Sequence, residues 1–127
     1  MSDLIRKRPK YLNLFQIKLP LAGFASILHR ISGFGLFLLL PFLIWLLDLS
    51  LGSPEQFGTL REIVANPLVK LLLIGLLWAF LHHLCMGVRI LLIDVHVGVE
   101  KVQARASAKA VLGASLLLTL VLGALLW

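Results

Sequence analysis

Three long apolar stretches dominate the chain, and two of them carry basic side chains. The stretches are residues 21–47 with His29 and Arg30, residues 71–88 with His82 and His83, and residues 110–127 with no titratable group. A helix of about 20 apolar residues crosses the roughly 30 Å hydrocarbon core of a bilayer. Ionisable side chains are costly there and usually mark a functional site. The pattern therefore predicts a small membrane protein that holds something polar between its helices.

The composition excludes an ordinary soluble domain, because 60% of the 127 residues are hydrophobic, where soluble domains contain about 45–50%. We predict an all-α integral membrane fold with three transmembrane helices that form part of a hetero-oligomeric helix bundle. The chain is expected to be a single membrane-anchor domain, residues 1–127, with spans at about 21–47, 68–93 and 106–127. The first loop is predicted to form a turn through "SLGSPEQFG", residues 50–58, and then a short amphipathic segment.

Lysine and arginine residues are concentrated on one side of the predicted spans. They precede the first span at Arg6, Lys7, Arg8, Lys10 and Lys18, and they flank the second loop at Arg89, Lys101, Arg105 and Lys109. Because such residues collect in cytoplasmic segments, we expect a bacterial cytoplasmic (inner) membrane protein with a cytoplasmic N-terminus and a periplasmic C-terminus. The chain has a net charge of +6, but its basic residues lie beside the spans rather than in a stripe with interleaved aromatic residues, which argues against nucleic-acid binding.

The polar groups of the first two spans are predicted to lie at a common depth. His29 and Arg30 are eight or nine residues inside the first span, or about 12–14 Å from its cytoplasmic end. His83 is about six residues inside Arg89, or roughly 9 Å by the same helical rise. Since consecutive spans run antiparallel, these side chains are expected in the cytoplasmic half of the bilayer.

Small residues accompany the histidine of the second span. They form an i, i+4 stripe with it: Gly75, Ala79, His83 and Gly87. A histidine between small residues leaves a shallow groove for a flat macrocycle, and neutral imidazole is an axial ligand of haem iron. Equally, small residues let a second membrane helix approach closely. The sequence leaves both interpretations open.

A six-coordinate haem needs a second axial ligand, for which the candidates are His29, His82 and a residue of another chain. His82 and His83 point about 100° apart on a helix, so they cannot both bind one iron.

Two polar residues of the first span lie one turn apart, Ser26 and Arg30. A guanidinium at this depth needs an anion, which haem propionates or an acidic residue of a partner would supply. The hydroxyl of Ser26 suits a quinone carbonyl, or it donates to the carbonyl of residue 22. Asp94, eleven residues after His83, lies close to the same helical stripe and either faces the pocket or anchors the span at the interface.

The chain resembles the cytochrome b556 membrane-anchor subunits of succinate dehydrogenase. The resemblance is carried by "SILHRISG" at residues 26–33 and "HHLCMGVRILLID" at residues 82–94, with "RPKYLNL" at 8–14 and "SPEQF" at 53–57. Close relatives often have histidine directly after the arginine of the second motif, where this chain has Ile90. A propionate or proton contact at that position is therefore not carried over.

The resemblance implies roles for five residues. His83 would be the axial ligand of the haem iron, with the second axial histidine supplied by the other small anchor subunit. Ser26 and Arg30 would belong to the quinone pocket. His29 would lie near the haem propionates, and Asp94 near the cytoplasmic mouth of the quinone pocket.

The implied function is that of an anchor in succinate:quinone oxidoreductase, a complex of electron transport and the tricarboxylic acid cycle. A partner flavoprotein would oxidise succinate, and an iron–sulfur subunit would pass the electrons to ubiquinone beside one haem b shared with the second anchor subunit. The chain alone is expected not to be catalytic, since the single cysteine, Cys85, cannot hold an iron–sulfur cluster.

Three other functions stay open. The first is a structural anchor without haem, in which the histidines only pack and form hydrogen bonds. The second is a transporter or proton-relay subunit, although such a relay favours acidic residues at mid-membrane, whereas Asp48 and Asp94 lie at span ends. The third is the closely related anchor of a fumarate reductase.

Overall fold

The structure, a computed structural model, describes residue 13 and residues 15–127. It contains four helices in the order α1 (Leu21–Leu51), α2 (Pro54–Ala65), α3 (Pro67–Asp94) and α4 (Lys101–Leu126), and the described residues form no strand. Helices α1, α3 and α4 are each long and apolar enough to cross a membrane. The predicted all-helical membrane fold is thereby confirmed.

The helices extend beyond the predicted spans. Helix α1 begins after Pro20 and runs to Leu51, four residues past the predicted end at 47. Helix α4 begins at Lys101 rather than near 106, because its polar first turns consist largely of lysine, glutamine, alanine and arginine, which favour helix. The basic residues Arg6 to Lys10, which the topology prediction uses, lie outside the described residues.

The first loop holds a helix where the sequence predicts a turn. Helix α2 begins at Pro54, and Ser53 caps it: the Ser53 hydroxyl accepts from the Gln56 backbone N–H at 3.3 Å, while Gln56 Oε1 accepts from the Ser53 N–H at 2.8 Å. This reciprocal capping box satisfies two backbone donors that a helix start leaves free. The residues from Pro54 to Gly58 therefore belong to α2 rather than to a turn.

The buried centre of the molecule lies between α1, α3 and α4. It consists of Ala25 of α1, Met86 of α3, and Ala108 and Val111 of α4. The small side chains of Ala25 and Ala108 let the helices approach closely, as is usual for helix packing in membranes, and Met86 is fully buried between them. Most large apolar side chains outside this centre are exposed, which lipid tolerates because its tails are as apolar as leucine.

Arg89 fastens the end of α3 to the start of α4. Its Nε donates to the Ser107 hydroxyl at 2.9 Å, and its Nη2 donates to the Ala104 carbonyl at 3.0 Å. The side chain is half-buried, and Nη1 lies 3.9 Å from the sulfur of Met86. Arg89 therefore does more than add positive charge beside the second loop, because its hydrogen bonds hold two helices together.

The substitution Arg89→Ala removes both hydrogen bonds between α3 and α4. We expect it to lower the free energy of unfolding by about 2 kcal/mol, since a hydrogen bond from a charged donor contributes roughly 1.5–3 kcal/mol. Unfolding by SDS in mixed micelles measures this change. Arg105→Ala, at an exposed position of α4, is the matched control, and equal loss of stability in the two variants would contradict the role of Arg89.

Candidate functional site

The candidate site lies where α1 crosses α3. The rings of His29 and His83 stack at this crossing with their centroids 4.1 Å apart and their planes within 10° of each other. The two histidines therefore do lie at a common level, as the antiparallel alignment of the first two spans predicts.

Each histidine of the crossing lies against a glycine of the opposite helix. A Cβ atom built on Gly33 would come within 2.8 Å of His83 Cε1, and one built on Gly87 would lie 3.9 Å from His29 Nε2. Gly33 thus makes room for the imidazole ring of His83 where a side chain would block it, whereas a Cβ on Gly87 would make only an ordinary van der Waals contact with His29. Gly75 has nothing within 4 Å of such an atom. Close approach of the two helices therefore accounts for Gly33 and explains neither Gly87 nor Gly75.

The hydrogen bonds of His83 fix its tautomer. Its Nδ1 lies 3.1 Å from the carbonyl oxygen of His29 and 3.4 Å from the hydroxyl of Ser32, which itself donates to the same carbonyl at 2.9 Å. Because a carbonyl only accepts, Nδ1 carries the proton and Nε2 keeps its lone pair. Nε2 has no hydrogen-bond partner among the described residues. It is not one of the buried unpaired atoms either, so it is accessible at the surface. His83 therefore offers an unprotonated ring nitrogen at the surface of the crossing.

His82 lies on a different face from its neighbour. Its side chain is 0% exposed, its Nε2 lies 3.3 Å from the carbonyl oxygen of Ala25, and its ring stacks on Trp78 at 5.3 Å. Its Nδ1 is buried and has no partner among the described residues. This orientation removes His82 from the candidates for a second ligand to a metal bound by His83.

The side chains of Ser26 and Arg30 form no hydrogen bond with the described residues of this chain. Arg30 is exposed and Ser26 is half-buried, and neither makes a side-chain hydrogen bond within the part of the chain that the structure describes. The serines at Ser32 and Ser115 do donate to the carbonyl three residues earlier. Ser26 does not use that bond, so its hydroxyl and the guanidinium of Arg30 are both available to a ligand or a partner.

Asp94 and Ile90 lie near the C-terminal end of α3. Asp94 is exposed and is the last residue of the helix, about 16 Å along the axis from His83. This chain therefore does not bring Asp94 to the histidine pair. Ile90 is partly buried and packs against the core of α1, α3 and α4, so an apolar contact replaces the polar one that histidine would make there.

The described residues contain no group of three or more histidine, cysteine or acidic side chains placed to hold a metal ion. A single imidazole such as that of His83 suits an axial bond to a metal that a macrocycle already holds.

Sequence reasoning missed Ser32, which is 4% exposed and hydrogen-bonded within the site. Its signal was its place one turn after His29, on the same face of α1.

Comparison with known proteins decides the family. A family model described as "Succinate dehydrogenase/Fumarate reductase transmembrane subunit" matches residues 5–122. The chain belongs to this family. It is therefore a transmembrane subunit of the succinate dehydrogenase and fumarate reductase type, and the resemblance seen in its two motifs is confirmed.

Relatives of nearly the same length share about a third of the residues. A succinate dehydrogenase cytochrome b556 subunit of Coxiella burnetii is 35% identical over 122 residues, which cover 95% of this chain and 98% of that protein. The subunit of the same name in Paracoccus denitrificans is 34% identical over 119 residues, 93% and 92% of the two chains. That of Rickettsia felis is 30% identical over 121 residues, 95% and 94%. The similarity thus covers nearly the whole length of the chain.

Gly33→Ala tests the contact between α1 and α3. The added methyl group would meet His83 Cε1, so the helices must move apart and the variant should lose stability. Gly35→Ala is the control, because nothing lies within 4 Å of its Cβ, and replacing a helical glycine there should stabilise by up to about 1 kcal/mol. Thermal unfolding in detergent measures both variants. A midpoint for Gly33→Ala that rises as much as that of Gly35→Ala would show that the ring does not pack on this glycine.

Proposed function

We propose that this chain is the haem-binding membrane anchor of a succinate:quinone oxidoreductase and forms part of its ubiquinone site. The observation that carries the proposal is the contact of His83 Nδ1 with the carbonyl oxygen of His29 at 3.1 Å, which leaves Nε2 free. Histidines that bind a metal commonly donate their second ring nitrogen to a carbonyl, which fixes the ring and makes the ligand more basic. Membership of the family adds the complex in which such a ligand is used.

The residues at the crossing fit a haem b. His83 would supply a nitrogen ligand to the iron, and the absence of a side chain at Gly33 leaves room for its ring. His29 is stacked on His83, so its nitrogens are not placed to bind the same iron. His82 is turned into the interior and His96 lies beyond α3 in a turn. A second histidine ligand is therefore proposed to come from another small anchor subunit.

The cation at Arg30 supplies the charge that such a ligand needs. A haem carries two propionates, and the exposed guanidinium of Arg30 directly follows His29 in α1. Arginine binds carboxylates through two parallel hydrogen bonds that neutralise both groups. His29, whose Nε2 lies beside Gly87, is placed in the same region and is proposed to contact a propionate. When bound, the haem supplies a one-electron store close to the quinone.

The quinone site is proposed to use Ser26 and Arg30. They are four residues apart on α1 and so lie on one face, and neither is engaged by the rest of the described chain. Ser26 donates a hydrogen bond that orients a quinone carbonyl. Arg30 stabilises the negative charge that develops on the quinone oxygen during reduction, as fixed cations do in sites shielded from water. Asp94 is assigned to the cytoplasmic mouth of the pocket, which partner subunits complete.

The remaining chemistry belongs to partners. The described chain has one free cysteine, Cys85, and an iron–sulfur cluster requires several. A flavoprotein subunit oxidises succinate, and an iron–sulfur subunit delivers the electrons to the quinone at this anchor. The concentration of lysine and arginine before α1 and between α3 and α4 supports a cytoplasmic N-terminus in the bacterial inner membrane and a periplasmic Trp127.

Replacing the proposed ligand tests the haem assignment. In the complex purified with His83→Ala, we expect the haem content to fall severalfold or the remaining haem to become five-coordinate, because one axial bond is lost. Optical spectra and the pyridine haemochrome assay measure this. His96→Ala is the matched control, since His96 is exposed in the turn after α3. A normal haem spectrum in the His83 variant would refute the assignment, and a wild-type complex without a Soret band would favour the structural anchor.

Replacing the cation tests the quinone site. Arg30→Ala should lower succinate:quinone reductase activity by about 100-fold, the effect typical of losing one fixed stabiliser of developing negative charge. Reduction of a soluble artificial acceptor should be largely retained, because flavin and iron–sulfur chemistry lie in other subunits. The haem content should also be largely retained, because the variant keeps the proposed ligand His83. Arg61→Ala, exposed on α2, serves as control. Unchanged quinone reduction in Arg30→Ala would exclude this residue from the site.

A further inference from the structure

His82 is an ionisable residue that the proposed mechanism does not use. It is 0% exposed, and the contact between its Nε2 and the carbonyl oxygen of Ala25 is its sole polar contact among the described residues. Since that carbonyl only accepts, Nε2 carries the proton. Neighbouring residues His82 and His83 therefore hold opposite tautomers: the first donates from Nε2 and the second from Nδ1.

The two acceptors are related by one turn of α1. His82 donates to the carbonyl of Ala25, and His83 donates to the carbonyl of His29, four residues later. In an α-helix, carbonyls four residues apart lie above one another along the same face. Two consecutive residues of α3 thus hold α1 at two successive turns, which restricts both the height and the rotation of α1 relative to α3.

The Ala25 carbonyl lies directly beside the proposed quinone residues. Ala25 is 0% exposed, the next residue is Ser26, and Arg30 follows one turn later. Because α1 is a rigid helix through this region, any rotation of Ala25 about the helix axis moves the Ser26 hydroxyl with it. The position of Ser26 relative to His83 therefore depends on the bond that His82 makes.

We propose that His82 is a positioning residue, whose Nε2–H···O bond to Ala25 sets the rotation of α1 and thereby holds Ser26 and Arg30 in register with His83. The proposal rests on the proposed function, since it assigns His82 to the same haem and quinone site. His82 touches neither ligand and acts through the backbone of α1. Loss of the Nε2–H donor of His82 should therefore change quinone binding and the haem environment without removing the haem.

Two substitutions separate the hydrogen bond from the volume of the ring. His82→Phe keeps an aromatic ring that can stack on Trp78 but has no donor, while His82→Gln restores an N–H at a similar reach. In purified His82→Phe complex, we expect a normal haem content, shifted g values of the ferric haem in electron paramagnetic resonance, and a changed haem midpoint potential. The KM for a short-chain quinone should rise about fivefold with kcat within about twofold, as expected for the loss of one neutral hydrogen bond.

His82→Gln should return the g values, the potential and the KM towards those of the wild type. A His82→Phe complex identical to the wild type in all of these measurements would overturn the proposal. If His82→Gln is as impaired as His82→Phe, the ring rather than the bond matters, and the proposal fails. A wild-type complex that contains no haem would instead refute the proposed function.

The wild-type complex provides a test that does not depend on assembly of any variant. Nitrogen-15 spectra of histidine-labelled complex report which ring nitrogen carries the proton. We expect His82 to carry a proton on Nε2, with this N–H engaged in a hydrogen bond. A His82 ring protonated only at Nδ1, or an Nε2–H that makes no hydrogen bond, would refute the bond to Ala25, whatever the two variants show.

Discussion

The hydrogen bonds that join α3 to the backbone of α1 are the constraint on which the rest of the structure depends. Elsewhere these two helices meet through apolar surfaces, and in lipid such surfaces give little preference for one partner or one rotation, because the lipid tails are equally apolar. The imidazoles of His82 and His83 reach the carbonyls of Ala25 and His29, and water is not there to compete for these donors. The polar contacts therefore select the arrangement that the apolar ones merely permit.

The crossing also explains why two adjacent histidines do different work. His82 turns into the space between α1, α3 and α4 and is wholly buried, whereas His83 lies at the edge of that space against Gly33. The angle of about 100° between successive helical residues produces this division. The ring of His82 makes its contacts inside the chain, whereas His83 keeps its Nε2 free for a ligand or partner.

The sequence predicts the three membrane helices, their antiparallel order and the common depth of His29 and His83, because apolar length and helical rise suffice for these. It does not predict the stacked rings, the two tautomers or the part played by Ser32. In a soluble helix an apolar stripe marks the buried face, but here both the lipid face and the interior are apolar. The hydrophobic pattern of α1 therefore does not predict which face of the helix points towards α3. The start of α2 is a different case, since its capping box of Ser53 and Gln56 is a local signal that the sequence itself contains.

The exposed guanidinium of Arg30 has a consequence for biogenesis. Within the described chain it has no hydrogen-bonded partner, and it lies about 14 Å along α1 from the start of that helix. An arginine without an anion costs several kcal/mol in an apolar layer. A partner or ligand that brings an anion to Arg30 would therefore stabilise the subunit at the same step that completes its site.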